Sequence, residues 1–142
     1  MAEDCVFCGI IAGKIPSSRI FEDEKILAFL DINPVAQGHT LVIPKAHYRN
    51  LLDLPEEEVA NVYKAVKKVA LAVKKAVSAE GILVFQANEK AAFQAVFHSH
   101  THIIPKWIDD PINKVLSEFY QHAQKPEREE LEELAEEIRK HF

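Results

Sequence analysis

The stretch Phe97-His98-Ser99-His100-Thr101-His102-Ile103-Ile104-Pro105 repeats histidine at every second position. Side chains alternate faces along an extended chain, so a strand sets His98, His100 and His102 on one face, successive rings roughly 7 Å apart. A helix would scatter them. Imidazole is the side chain most easily poised between neutral and charged near neutral pH. Three on one face need hydrogen-bond partners or a metal if they are buried. Spacing alone is compatible with catalysis, with metal binding and with an inert strand.

The 142 residues suit one domain with a substantial core, and 48% hydrophobic with 27% charged residues is a globular composition. A net charge of −5 gives no support for nucleic acid or an anionic membrane as partner. No apolar run reaches membrane-spanning length and the first residues carry no secretory pattern, so a cytoplasmic protein is expected. The only cysteines are Cys5 and Cys8. A disulfide framework is excluded, and Cys-x-x-Cys in that compartment reads as metal or redox.

Residues 19–22 and 25–30 read as a hairpin over a two-residue Asp23-Glu24 link, ended by Pro34. Gly38 opens a third strand, His39 to Pro44. Pro55 and three glutamates start a helix whose valines recur at three and four, from Val59 to Val77. Residues 82–85 and 96–104 read as the fourth and fifth strands, 111–124 as a helix, and the run from Pro126 to Phe142 as a Glu-rich helical tail. The fold class is α+β: a mostly antiparallel five-stranded sheet with a long helix across one face, plus C-terminal helices. Its boundaries are expected at 1–110 for the main domain and 111–142 for a helical extension.

His39, His47 and the triplet fall in segments that could meet in one sheet. One imidazole could then attack an electrophile while others orient it. Cys5 and Cys8 with His47 and one triplet histidine make a Cys₂His₂ set of the kind zinc prefers.

With these residues in hand, the chain resembles the histidine triad family, in the bacterial and archaeal branch. The triplet matches its motif, and three further blocks match in order: Cys5 to Ile11, Ala28 to Pro34, and Gly38 to Lys45. The resemblance, over residues 3–107, implies a purine-nucleotide hydrolase or transferase acting at an α-phosphorus through a nucleotidyl-histidine. Suitable electrophiles are a phosphoramidate, an aminoacyl-adenylate or a dinucleoside polyphosphate. His100 would attack, flanked by His98 and His102 and supported by His39. Asp31 would hold the ribose, Asn88, Gln94 and Ala95 would lie on the phosphate side, and Val6, Phe7, Ile10, Phe29, Leu30 and Ile32 would wall the base. The resemblance also implies structural zinc on Cys5, Cys8, His47 and His98, outside the chemistry, and a homodimer. A non-catalytic, zinc-stapled nucleotide sensor is the alternative.

Five positions depart from the family pattern. Glu89 follows Asn88 where glycine is common, Phe93 and Ala95 flank Gln94, and Ser99 and Thr101 are more polar than usual between the histidines. The expectation is a weaker phosphate grip or a shifted substrate preference, with the Ser99/Thr101 face less buried or paired with another subunit.

Overall fold

The structure, a computed structural model, describes residues 4–142. The chain forms two compact units, one running to Ile108 and the other Asp109–Phe142. In the first, a short helix α1 (Val6–Ile11) is followed by β1 (Arg19–Glu22), β2 (Ile26–Leu30), β3 (Thr40–Pro44), the long helix α2 (Glu56–Ala76), β4 (Gly81–Phe85) and β5 (Thr101–Lys106). The strands form one antiparallel five-stranded sheet, as expected, and the structure supplies its order, β1-β2-β3-β5-β4.

Alternation sorts the sheet into two faces. Ile26, Ala28, Val42 and Ile103 point toward α2 and pack on Val62, Ala65, Val66, Val69 and Val73. Each fully buried valine contributes about 1.5–3 kcal/mol. Leu27, Phe29, Leu41 and Ile43 line the other face, closed by Phe7 and Ile10 of α1. The first turn of α2 carries Glu56, Glu57 and Glu58, which complement the positive end of its dipole. Its far end closes with Ser78 in the left-handed region (φ 51°) and the Ala79 amide donating back to Lys74 O at 2.9 Å.

Gly38 positions the start of β3. Its φ is +91°, and an added Cβ would lie 3.3 Å from both Pro105 and Val77, so conformation and space both require glycine. The link between β1 and β2 is three residues rather than two. Asp23 Oδ1 accepts the Lys25 and Ile26 amides at 2.9 and 2.8 Å, and this Asx turn supplies what the missing glycine would have.

The fifth strand is shorter than the histidine spacing predicts, since it begins at Thr101 rather than residue 96. Ahead of it the Ser99 amide donates outside the ladder, to Tyr48 O at 2.7 Å. Ser99 and Thr101 are not on a less buried face, as expected, but 2% and 1% exposed. Both hydroxyls bond the Gln86 side chain, at 3.0 and 3.2 Å, so their polarity is satisfied within the chain.

The second unit holds α3 (Ile112–Gln121) and α4 (Arg128–Arg139). Helix α4 starts with a reciprocal capping box between Glu127 and Glu130, and exposes Leu131, Leu134 and Ile138 along one stripe. Among the described residues, no helix is long and apolar enough to cross a membrane.

Candidate functional site

The register of β3, β5 and β4 assembles the imidazoles. His102 pairs with Leu41 on one side and Phe85 on the other, which places it on the α1 face of the sheet. His39, just before β3, reaches across to it, His39 Nε2 lying 2.9 Å from His102 Nδ1. His100 meets His102 edge-on at 5.0 Å, and Phe85 stacks flat on His102 at 4.3 Å. Asp31 Oδ2 lies 3.7 Å from His39 Nε2.

The hydrogen-bond partners fix which nitrogen carries each proton. A backbone carbonyl only accepts. His100 Nδ1–H therefore donates to His98 O at 2.7 Å, which leaves the Nε2 lone pair free. His98 Nε2–H donates to Pro44 O at 2.8 Å and leaves Nδ1 bare. His39 Nδ1 accepts the Val35 amide at 3.3 Å, so its Nε2–H donates to His102 Nδ1 and His102 carries its own proton on Nε2. Burial favours these neutral forms. It pushes His98 and His102 down to about 4, with neighbouring imidazoles adding to the effect, and lowers His100 and His39 as well.

Cys5, Cys8, His47 and His98 form a second cluster, with one ligand atom from each residue inside a 4.8 Å span. His98 Nδ1 lies 3.6 Å from Cys5 Sγ and 3.7 Å from Cys8 Sγ, and His47 Nδ1 lies 3.4 Å from Cys8 Sγ. Tetrahedral zinc with ordinary Zn–S and Zn–N bonds would set sulfur and nitrogen about 3.6 Å apart. The four donors fit that ion. Asp31, His39 and His102 also converge. Their 2.9 Å N···N contact is a hydrogen bond, however, because tetrahedral zinc would spread the two nitrogens to about 3.3 Å.

The remaining expected site residues divide by exposure. Phe7, Ile10 and Phe29 are buried in the α1-side core, whereas Val6, Leu30 and Ile32 keep exposed surface, Ile32 most of all. Asn88 Oδ1 accepts the Leu51 amide at 2.9 Å, and no hydrogen bond from its NH₂ group occurs among the described residues. Gln94 is buried and its amide is fully engaged. Its Nε2 donates to Arg49 O and Val96 O, and its Oε1 accepts from the Glu89 amide and Asn50. Ala95 is exposed. Glu89 and Phe93 both adopt positive φ, 73° and 65°, although neither is glycine. The Arg49 guanidinium holds Glu89 at 2.7–2.8 Å and drives its carboxyl down to about 2, with Asn50 assisting.

Sequence reasoning missed Phe85, Pro44 and Arg49. Phe85 alone left a signal, since pairing β4 with β5 in the observed register sets it beside His102. Two grooves, about 450 and 350 Å³, lie on the α2 side and contain no histidine. The titratable chemistry sits on the opposite face, where His100 keeps 6% of its surface exposed.

Residues 12–107 match the family model of the HIT domain. The chain belongs to the HIT family. A HIT-like protein of Saccharolobus solfataricus, SSO2163, is 38% identical over 96% of this chain and 93% of its own. The Candida albicans adenosine 5'-monophosphoramidase HNT1 is 41% identical over 72% of this chain and 70% of its own. Among solved structures, SMU.412c of Streptococcus mutans superposes with a TM-score of 0.88 at 41% identity, covering 99% of this chain and 87% of that one. A zinc-bound histidine triad protein of Mycobacterium smegmatis gives 0.74 at 41% identity, covering 89% and 86%.

Proposed function

We propose that this HIT protein is a purine-nucleotide hydrolase or transferase acting at the α-phosphorus, with His100 as nucleophile. The observation that carries the reading is the 2.7 Å bond from His100 Nδ1–H to His98 O, which leaves an unprotonated Nε2 on the segment leading into β5. With a phosphoramidate, the Nε2 lone pair forms a bond to phosphorus while the P–N bond breaks, and the departing amine takes up a proton. Water then breaks the P–His100 bond and releases the nucleoside monophosphate. His102 Nε2–H, held by His39, is the donor beside the reacting nitrogen, suited to a phosphoryl oxygen or a leaving atom.

Asp31 as ribose acceptor and the NH₂ group of Asn88 as phosphate donor complete the binding residues, with Val6, Leu30 and Ile32 as the exposed base contacts. The phosphoramidase relative in Candida albicans supports this substrate class. Zinc on Cys5, Cys8, His47 and His98 would be structural: when bound it supplies a closed four-ligand clamp on α1. The edge position of β4 leaves it open for pairing with a second copy, so the dimer expected from the sequence is retained in the proposal. We place the protein in the cytoplasm.

One observation favours the non-catalytic reading, a zinc-stapled nucleotide-binding sensor. The Gln94 amide protons are spent on Arg49 and Val96 carbonyls and are not available to phosphate. The deciding assay offers adenosine phosphoramidate to the wild type and to His100→Ala. Turnover by the wild type, lost in the variant while AMP binding persists, supports the enzyme. AMP binding without turnover in either supports the sensor.

A further inference from the structure

The metal cluster and the proposed nucleophile share a residue. The ring of His98 faces Cys5 and Cys8 through Nδ1, while its carbonyl accepts the proton of His100. A second connection runs through Phe7, which lies between the two cysteines in α1. Its ring stands edge-on to His98 at 5.9 Å and 75°, to His100 at 5.2 Å and 79°, and to Phe29 at 5.6 Å and 69°. The ring is thus shared by the metal ligand and the nucleophile.

Helix α1 has little to hold it in place by itself. Six residues are too few for a stable helix without tertiary anchors. Its anchors here are the cysteine turn, in which the Cys8 amide donates to Cys5 Sγ at 3.5 Å, the Arg19 guanidinium on Ile10 O at 2.7 Å, and the buried faces of Phe7 and Ile10. Closing the four donors around an ion fixes both cysteines, and with them the position of the residue between.

We infer that Phe7 is a positioning residue, which together with the His98 backbone transmits occupancy of the metal site to the orientation and proton placement of His100. The inference builds on the proposed role of His100, but its first test needs no nucleotide. Occupancy of the Cys₂His₂ site holds α1. Helix α1 holds the Phe7 ring against His100, and the His98 carbonyl keeps the His100 proton on Nδ1. A ring released from this clamp would exchange that proton faster and present Nε2 in more than one direction. Loose placement of a reacting group by about 1 Å costs up to about 100-fold in rate.

A base-wall role for Phe7 makes a different forecast, because it would alter nucleotide affinity. A purely core role would alter stability alone. Nitrogen-15 spectra of the imidazoles separate all three readings, recorded at neutral pH on protein loaded with one equivalent of Zn²⁺ and on protein stripped by chelator, with circular dichroism monitoring the sheet. The expected result is one His100 tautomer with a slowly exchanging Nδ1–H in the loaded form, and exchange at least about tenfold faster in the stripped form. Identical His100 signals in both folded forms would overturn the inference.

If stripping unfolds the chain, Phe7→Leu and Phe7→Tyr, both kept in Zn²⁺, decide the matter. Phe7→Leu should lose the protected His100 proton while retaining zinc. With adenosine phosphoramidate its kcat should fall about tenfold with KM within about twofold, and Phe7→Tyr should restore both. A lowered melting temperature with an unchanged His100 spectrum, or a rise in KM alone, would contradict it. Absence of turnover in the wild type would remove the proposed function, and the spectra would still decide the positioning role.

Discussion

His39 and His102 meet at 2.9 Å across the β3–β5 boundary, with His39 the donor. The direction follows from the other His39 nitrogen, which accepts the Val35 amide. His102 is thereby held with its proton on Nε2, its ring 5.0 Å from that of His100. Removing the donor with His39→Leu leaves His102 Nδ1 without its partner and its ring free to turn. The expected loss in kcat is up to about 100-fold with little change in nucleotide affinity, measured by steady-state kinetics and AMP titration. An unchanged kcat would dissociate His39 from the site.

Depressed histidines place the acid limit of activity low. His100 is neutral to lower pH than an ordinary histidine because it is buried. The midpoint of the acid limb of kcat/KM should therefore lie below the ordinary histidine value of about 6.5. An acid limb at or above the ordinary histidine value would contradict the burial argument.

The same burial has a consequence for stability. In the unfolded chain His102 titrates near 6.5, and in the folded chain only at about 4. Between those values the unfolded state binds a proton that the folded state refuses. Stability is therefore full above the upper value and declines by up to about 1.4 kcal/mol per pH unit for this one group as pH falls toward the lower. Urea unfolding across that range should show the slope in wild type, reduced in His102→Asn. Equal slopes would remove His102 as its source.

Chelation should lower the melting temperature, since a closed zinc site contributes folding energy directly. Cys8→Ser should reproduce the effect in the presence of zinc. Plasma emission on dialysed protein should find about one zinc per chain in wild type and little in the variant.

Phe93 occupies the left-handed region with its side chain 92% exposed, so the fold pays backbone strain there without packing in return. Phe93→Gly should raise stability by about 0.5–1 kcal/mol in chemical denaturation. Ala95→Ser restores a hydroxyl beside the proposed phosphate site and should raise phosphoramidate turnover, and no gain would count against that placement.

The elements were legible where local pattern decides them. The valine stripe of α2 and the alternating strands needed only spacing and burial, whereas residue chemistry offered Cys5, Cys8 and His47 with one triplet histidine and the family resemblance named that histidine as His98. Long-range pairings that leave no local trace stayed hidden. Ser99 and Thr101 looked misplaced among the histidines because their partner, Gln86, lies beyond the end of another strand. The early end of the fifth-strand ladder depends on a Tyr48 carbonyl that no periodicity reveals. Phe85 became visible as a neighbour of His102 only once register was known. Gln94, expected on the phosphate side, has its amide filled by Arg49 and Val96 carbonyls from two loops, which sequence order cannot forecast.

The central claim is that His100 Nε2 forms a bond to phosphorus. Its most direct test is mass spectrometry of wild-type protein acid-quenched within the first turnover of adenosine phosphoramidate, with His100→Ala as control. The account predicts one adenylyl group per chain, mapped to His100 and absent from the variant. Turnover without any adduct, or an adduct carried on another residue, would contradict it.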